Sequence, residues 1–271
     1  MATVDNNLLS QETDSRLLAD FLPHIKKNYV DVGAEKGSFA RFLMAHGLHG
    51  VCFEPLPKHA PALDALARSG AAQHYAFAID QEDGQAEFHI ACDEAGNPLD
   101  YFHSLQRLED DPRVRHRQKL AVTCRSLASL CAEGLVEEHL GVLKIDTEGN
   151  DLRVLRGLGP VRADVVICEF FTPGIYKGWE EADPVGLLRE ARRLGYDWWL
   201  ALRRRGDAEL ISLCPTAFSE REWGNLFFVR APVFEAAREA VGQRILESEE
   251  RLWSTLEAQA TAKRRKRWFA W

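Results

Sequence analysis

Residues 29–39 restrict the fold more than any other stretch of this 271-residue sequence. Val30 and Val32, near its start, suit a buried strand of a parallel sheet. Gly33 and Gly37 follow at a Gly-x-x-x-Gly spacing, and apolar residues then recur with helical periodicity. The segment therefore predicts a β-turn-α unit, whose turn offers backbone N–H groups and a helix N-terminus to an electron-rich ligand.

Two further apolar runs end in acids. Residues 50–53 lead into Glu54, 21 positions after Gly33, where a carboxylate can accept hydrogen bonds from both hydroxyls of a ribose. Residues 72–79 predict a third strand that ends at Asp80. The Asp80 carboxylate is predicted either to accept from a nucleobase amino group or to cap the following turn. The three strand ends together predict a nucleotide-binding sheet.

The second half of the chain repeats this pattern. The apolar run 141–145 is followed by Asp146 and Glu148, and the run 164–168 by Glu169. Burying these carboxylates in an apolar core would be costly, so we place them at a ligand-facing rim of the sheet. Residues 92–119 are long and irregular, as functional or disordered loops are, and we interpret the part around His103 as substrate-facing.

Strands that alternate with helices predict one α/β domain over residues 25–231, with helices on both faces of the sheet. Residues 1–24 are predicted to be an N-terminal helical segment, and residues 232–271 to be a C-terminal helix and tail. Apolar residues from Val233 to Leu256 recur at near-heptad spacing, so this helix is expected to pack on the body or on a second subunit as a homodimer. The basic run 263–267 and the aromatic residues after it predict either a disordered tail or a contact with an anionic membrane or partner.

Composition excludes several classes of protein. The net charge is −7, of which residues 263–267 contribute +5, so the remainder carries −12 and is not expected to bind nucleic acid. The six cysteines lack metal-type pairing and are expected to be reduced thiols. No signal peptide or membrane span is evident, so the protein is interpreted as cytoplasmic.

These segments, taken in order, resemble the FkbM family of S-adenosylmethionine-dependent methyltransferases over roughly residues 25–230. Residues 29–37 are similar to the family's DVGAN-x-G segment, residues 53–55 to its EP motif, and residues 78–84 to its third-strand element. The most specific match is residues 143–157, which resemble LKIDxEGxExxxLxG. Asn225-Leu226 resembles a late N-x-L strand.

The resemblance implies a class I methyltransferase fold, which is Rossmann-like and has a seven-stranded sheet with its last strand inserted antiparallel. It implies an O-methyltransferase that uses S-adenosylmethionine and acts on a hydroxyl of a sugar, a glycan or a small natural product. In this comparison, Glu35 departs from the asparagine that the family commonly has. The cofactor-binding residues that the resemblance assigns by position are Asp31, Gly33, Glu35, Gly37, Glu54 for the ribose and Asp80 near the adenine.

Methyl transfer from a sulfonium to a hydroxyl requires that the oxygen be aligned with the methyl group and lose a proton. Asp146 and Glu148 are the first candidates for the general base or for accepting a hydrogen bond from the substrate hydroxyl. His103 is the next candidate. Asp146, Glu148 and Glu169 are alternatively oxygen ligands for Mg²⁺, although a metal is not expected.

Two other functional classes compete with this interpretation. One is a binding module that keeps the methyltransferase fold without turnover. The other is an NAD-type oxidoreductase, which the absence of a Gly-x-Gly-x-x-Gly sequence disfavours.

Overall fold

The computed structural model describes residues 6–108, 111, 113–206 and 208–268, with side chains described between residues 12 and 258. Its α-helices are α1 (Asn6–Ala19), α2 (Ser38–Ala45), α3 (Ala60–Ala67), α4 (Leu127–Ala132), α5 (Asp151–Arg156), α6 (Pro184–Arg193) and α7 (Ala231–Trp268). Its strands are β1 (Asn28–Val32), β2 (His49–Phe53), β3 (Ala72–Tyr75), β4 (Ala78–Ile79), β5 (Gly84–Cys92), β6 (Arg115–Arg125), β7 (His139–Ile145), β8 (Arg162–Phe171), β9 (Trp198–Arg205), β10 (Ala208–Leu213) and β11 (Trp223–Val229).

The central sheet has the strand order β10-β9-β11-β8-β7-β1-β2-β3. Five neighbouring strands are parallel to one another: β3, β2, β1, β7 and β8. Strand β11 lies antiparallel between β8 and β9. The inserted antiparallel last strand of the expected seven-stranded sheet is thus confirmed. An eighth strand is present because β10 folds back on β9 as an antiparallel hairpin and extends the edge.

Both faces of the central sheet are covered by helices, as predicted. Neighbouring strand residues point to opposite faces, so Val142 and Val165 contribute to one apolar cluster while Leu143 and Val166 contribute to the other. The first cluster also receives residues of α1, α2, α3 and α7, and the second receives residues of α4, α5 and α6. Helix α1, within the predicted N-terminal helical segment, therefore packs on a face of the sheet through Leu17 and Leu18.

The prediction of one strand over residues 72–79 is wrong. Strand β3 ends at Tyr75, and β4 instead pairs with β6 in a separate sheet of order β4-β6-β5. The N–H of Asp80 continues this pairing by donating to the carbonyl of Arg125 at 3.0 Å. The segment 92–119, expected to be irregular, contains the first part of β6, which extends antiparallel along β5.

The predicted C-terminal helix is present as α7. Val233, Ala237 and Val241 are buried against the sheet, as the apolar stripe requires. Beyond Ser248 the helix leaves the body, so Trp253 is 66% exposed and Leu256, a member of the predicted stripe, is 43% exposed. The basic and aromatic side chains of residues 263–271 lie outside the described side chains.

Among the helices in the described part of the chain, none is both long and apolar enough to cross a membrane.

Candidate functional site

A cavity of about 350 Å³ lies at the carboxyl ends of β1, β2, β7 and β8. Parallel α/β sheets bind their ligands at this edge. The residues predicted for the site that line this cavity are Gly33, Glu35, Glu54, His103, Asp146, Glu148 and Glu169. Three other predicted residues, Asp31, Gly37 and Asp80, do not line it.

The turn after β1 is shaped by Gly33, which has a φ of +75°. A Cβ at this position would lie 1.8 Å from the carbonyl oxygen of Asp146. The N–H of Gly33 donates to the carbonyl of Phe53 at 2.9 Å, and the N–H of Asp146 donates to that of Val32 at 3.0 Å. Glycine is therefore needed for the loops after β1 and β7 to approach each other and form one floor of the cavity.

Gly37, predicted as a cofactor-binding residue, permits a close contact between two helices. Its φ is +76°, and a Cβ there would lie 2.4 Å from Leu66 and 3.0 Å from Leu63. Both leucines belong to α3, so Gly37 lets the start of α2 pack against a neighbouring helix and not against a strand.

Glu54 places a buried carboxyl group in the cavity wall, with 6% of the residue exposed. Its Oε1 accepts from the N–H of Leu56 at 2.9 Å, and its Oε2 accepts from the N–H of Glu35 at 3.0 Å. Burial raises the pKa of Glu54 to about 7, although these two hydrogen bonds favour the ionised form. Since each carboxylate oxygen has two lone pairs, both can still accept from a ligand.

Two of the predicted cofactor residues are occupied elsewhere. Asp80 accepts two hydrogen bonds from the Arg153 guanidinium, at 2.7 and 2.9 Å. Burial opposes ionisation, yet Arg153 and the N–H of Gln81 together hold the pKa of Asp80 below its usual range. Asp31 is fully buried beside Lys144, whose Nζ lies 3.7 Å from Oδ1, and burial raises the pKa of Asp31 to about 6.

Asp146, Glu148 and Glu169 come together, as predicted from their strand ends. Each offers a carboxylate oxygen, and these oxygens lie within 4.8 Å of one another. Burial, with the charge of Asp146 nearby, raises the pKa of Glu148 to about 8 and raises that of Glu169 well above its usual range. Lys144 supplies a counter-charge, because its Nζ donates to Asp146 Oδ2 at 2.9 Å.

Asp151 holds this cluster together, a role that the sequence did not reveal. One oxygen of its buried carboxylate accepts from the Thr147 hydroxyl at 2.6 Å, and the other accepts from the N–H of Glu169 at 2.9 Å. These bonds connect the segment after β7 to the end of β8. Burial raises the pKa of Asp151 to about 7.

His103 lines the cavity, but both of its ring nitrogens are engaged. Nδ1 accepts from the N–H of Ala91 at 2.9 Å, and Nε2 lies 2.8 Å from Lys58 Nζ. Burial and the Lys58 charge lower the pKa of His103 to about 4. The ring is therefore neutral at neutral pH and is held in place, which makes it a weaker candidate base than Asp146 or Glu148.

The far end of the cavity is formed by residues that were not predicted for the site. Asp14 on α1 accepts through Oδ2 from Arg204 on β9 at 3.2 Å and from Asn225 on β11 at 3.0 Å. Arg204 also donates to Glu209 and lies over the Trp223 ring. Asn225 belongs to the N-x-L motif, whereas no sequence signal marked Asp14, which is 211 positions from Asn225.

The sheet is mostly parallel with one inserted antiparallel strand, and acids at the ends of its strands surround one cavity. These features define a class I methyltransferase domain. A model of the methyltransferase FkbM domain matches residues 31–207. The chain therefore belongs to the FkbM methyltransferase family.

Several methyltransferases of known structure resemble the chain at very low sequence identity. A precorrin-6y C5,15-methyltransferase from Geobacter metallireducens is 7% identical, with a TM-score of 0.44 over 85% of this chain and 94% of that chain. An O-methyltransferase family protein from Burkholderia thailandensis is 11% identical, with a TM-score of 0.43 over 82% of this chain and 56% of that chain. Comparison with curated proteins finds no match.

Proposed function

We propose that the protein is an S-adenosylmethionine-dependent O-methyltransferase that acts on a hydroxyl of a sugar, a glycan or a small natural product. The observation that carries this proposal is the Glu54 carboxyl group, buried in the cavity wall with lone pairs left for hydroxyl donors. The apolar side chains of Phe77, Ile79 and Leu105 line the same cavity and suit a nucleobase. These groups fit the nucleoside part of S-adenosylmethionine.

When bound, S-adenosylmethionine supplies a methyl group already activated on a sulfonium. The chain has to orient the acceptor hydroxyl, exclude water and take up a proton. Asp146 and Glu148 are the groups for the last task, because both line the cavity at the end of the central strand β7. Lys144 donates to Asp146 Oδ2 at 2.9 Å, and Glu148, whose pKa is raised to about 8, is suited to receive a proton near neutral pH.

Asp146→Asn and Glu148→Gln are each expected to lower methyl transfer by about 100-fold while changing donor affinity little, because general-base assistance typically contributes about 100- to 10,000-fold. The measurement is transfer of a labelled methyl group from S-adenosylmethionine to a panel of hydroxylated compounds, followed by steady-state kinetics on the accepted compound. Glu137→Gln, which removes an exposed carboxylate outside the cavity, is the control. Normal turnover by both site variants would remove these residues from the proton-transfer role.

The same assay tests the Mg²⁺ alternative. The Lys144 ammonium already places a positive charge beside Asp146, where a cation would otherwise supply it. We therefore expect activity to persist after treatment with a chelator. Activity that is lost on chelation and restored by Mg²⁺ would instead assign Asp146, Glu148 and Glu169 to a metal.

We also propose that the projecting half of α7 pairs with the same helix of a second copy. Trp253 and Leu256 are 66% and 43% exposed in this half, and Leu246, just before it, is 55% exposed. In the sequence of the helix, acids at 247, 249 and 250 precede the basic run 263–267. An antiparallel pair would place each acidic segment beside the partner's basic run, which gives a closed two-fold dimer.

Light scattering is therefore expected to give twice the chain mass of 30.6 kDa. Combined Trp253→Glu and Leu256→Glu substitutions should yield a monomer, because they place charges in the pairing face. Val185→Glu changes an equally exposed residue on α6 and should leave the dimer intact. A monomeric natural protein, or a dimer that survives the double substitution, would contradict this assembly.

A further inference from the structure

The cavity is lined by many more acidic than basic residues. Among the described residues that line it, seven are acids, whereas Lys144 and Arg204 are the only lysine or arginine residues. Both cations are already shared between two acids: Lys144 lies between Asp146 and Asp31, and Arg204 donates to Asp14 and to an acid outside the cavity. Lys36, which does not line the cavity, lies 3.4 Å from both Glu35 and Asp100. Within the described residues, Glu148 and Glu169 form no ion pair with a lysine or arginine.

Two carboxylate oxygens at the far end of the cavity have no hydrogen-bond donor within the described residues. They are Oδ1 of Asp14, a residue that is 8% exposed, and Oε2 of Glu169. The two acids flank Asn225, which donates to the other oxygen of Asp14 and lies opposite Glu169 in the β8–β11 register. Burial raises the pKa of both acids, because an ionised oxygen without a donor is unfavourable there. A ligand that supplies N–H donors to these oxygens would favour their ionised form.

These oxygens lie apart from the site proposed for the methyl donor, S-adenosylmethionine. Asp14, Glu169 and Asn225 are contributed by α1, β8 and β11, whereas Glu54 follows β2 at the other side of the sheet order. Aromatic residues line the same end of the cavity, among them Phe171, Tyr176 and Trp223. Aromatic faces attract desolvated organic cations and cover the apolar faces of sugar rings.

The hydrogen-bond donors for these oxygens would come from the methyl-accepting substrate. The charge of that substrate distinguishes which chemical classes could supply them. A carboxylate or phosphate on the acceptor would leave the buried oxygens of Asp14 and Glu169 without hydrogen-bond donors and would further oppose ionisation of these acids. A neutral polyol would supply donors but no positive charge to offset the desolvation of the two carboxylates. From this geometry, and resting on the proposed O-methyltransferase function, we infer that the acceptor is an amino-bearing hydroxy compound, such as an amino sugar, whose ammonium group binds between Asp14 and Glu169.

Calorimetric titration tests this inference with matched probes. The protein is first saturated with S-adenosylhomocysteine and is then titrated at neutral pH with glucosamine and with N-acetylglucosamine, and likewise with the galactosamine pair. Each pair differs in the ammonium group, which acetylation neutralises. We expect the free amine to bind about tenfold more tightly, the effect of one charge-assisted hydrogen bond of about 1.4 kcal/mol.

The preference should disappear in Glu169→Gln and in Asp14→Asn, and should remain in Glu137→Gln, which removes an equal charge outside the cavity. Using two site variants guards against loss of folding in one, and retained S-adenosylhomocysteine binding reports the fold of each. Three results would overturn the inference. They are equal binding of the two members of every pair, failure of both members to bind, and a preference for the amine that both site variants keep. Absence of S-adenosylhomocysteine binding in the natural protein would instead overturn the proposed function itself.

Discussion

Gly33→Ala is expected to abolish measurable donor binding. A Cβ at this position would lie 1.8 Å from the carbonyl oxygen of Asp146, which is backbone and cannot move aside as a flexible side chain could. The turn after β1 or the loop after β7 must shift by roughly 1 Å or more to relieve the contact. Displacements of about 1 Å at an active site typically cost on the order of 100-fold in activity.

Gly47→Ala provides a matched control for this substitution. Gly47 has a φ of +79°, so alanine has the same left-handed backbone cost there as at Gly33, roughly 1–2 kcal/mol. A Cβ at Gly47 would have no atom within 4 Å, so only the conformational cost remains. Calorimetry with S-adenosylhomocysteine should show normal binding by Gly47→Ala and none by Gly33→Ala. Equal affinities would mean that the close approach of the two loops does not shape the donor site.

Glu54→Gln is expected to lower donor affinity by roughly 10- to 150-fold. The glutamine keeps the shape of the side chain but replaces a charged acceptor of ribose hydroxyls with a neutral one, and hydrogen bonds to charged groups contribute about 1.5–3 kcal/mol. One of its two terminal groups becomes an N–H donor that faces the N–H of Leu56 or Glu35. Unchanged affinity in a folded Glu54→Gln variant would remove Glu54 from the ribose role.

The pH dependence of donor binding follows from the same residue. Since the pKa of Glu54 is raised to about 7, its carboxyl group is protonated below that pH and must lose a proton to act as a charged acceptor. Donor affinity is therefore expected to fall as the pH drops below about 7, by up to about tenfold per unit. Titrations at several pH values should show this dependence in the natural protein and its loss in Glu54→Gln.

The parts of the fold that follow from local pattern were predictable. Buried parallel strands such as β1 and β7 are apolar runs bounded by turn residues, and the acids after them necessarily meet at one edge of the sheet. Asp146, Glu148 and Glu169 were therefore placed together correctly from sequence.

The errors came from partners that are distant in the chain. Asp80 accepts from the N–H of Gln81 in the following turn, one of the two roles predicted for it, but its ion pair with Arg153, which is 73 positions away, was not predicted. The separation of β4 from β3 depends on pairing with β6, which no local pattern encodes. Asp14 reaches the cavity only because α1 packs across a face of the sheet, and a short polar residue in a helix gives no sign of such a role.

The central claim is that this cavity binds the methyl donor. Its most direct test is calorimetric titration of the natural protein with S-adenosylhomocysteine and, in parallel, with NAD⁺. The structure predicts binding of one S-adenosylhomocysteine per chain, weakened in Glu54→Gln, and no heat of binding for NAD⁺. Saturable binding of NAD⁺ without binding of S-adenosylhomocysteine would contradict the account.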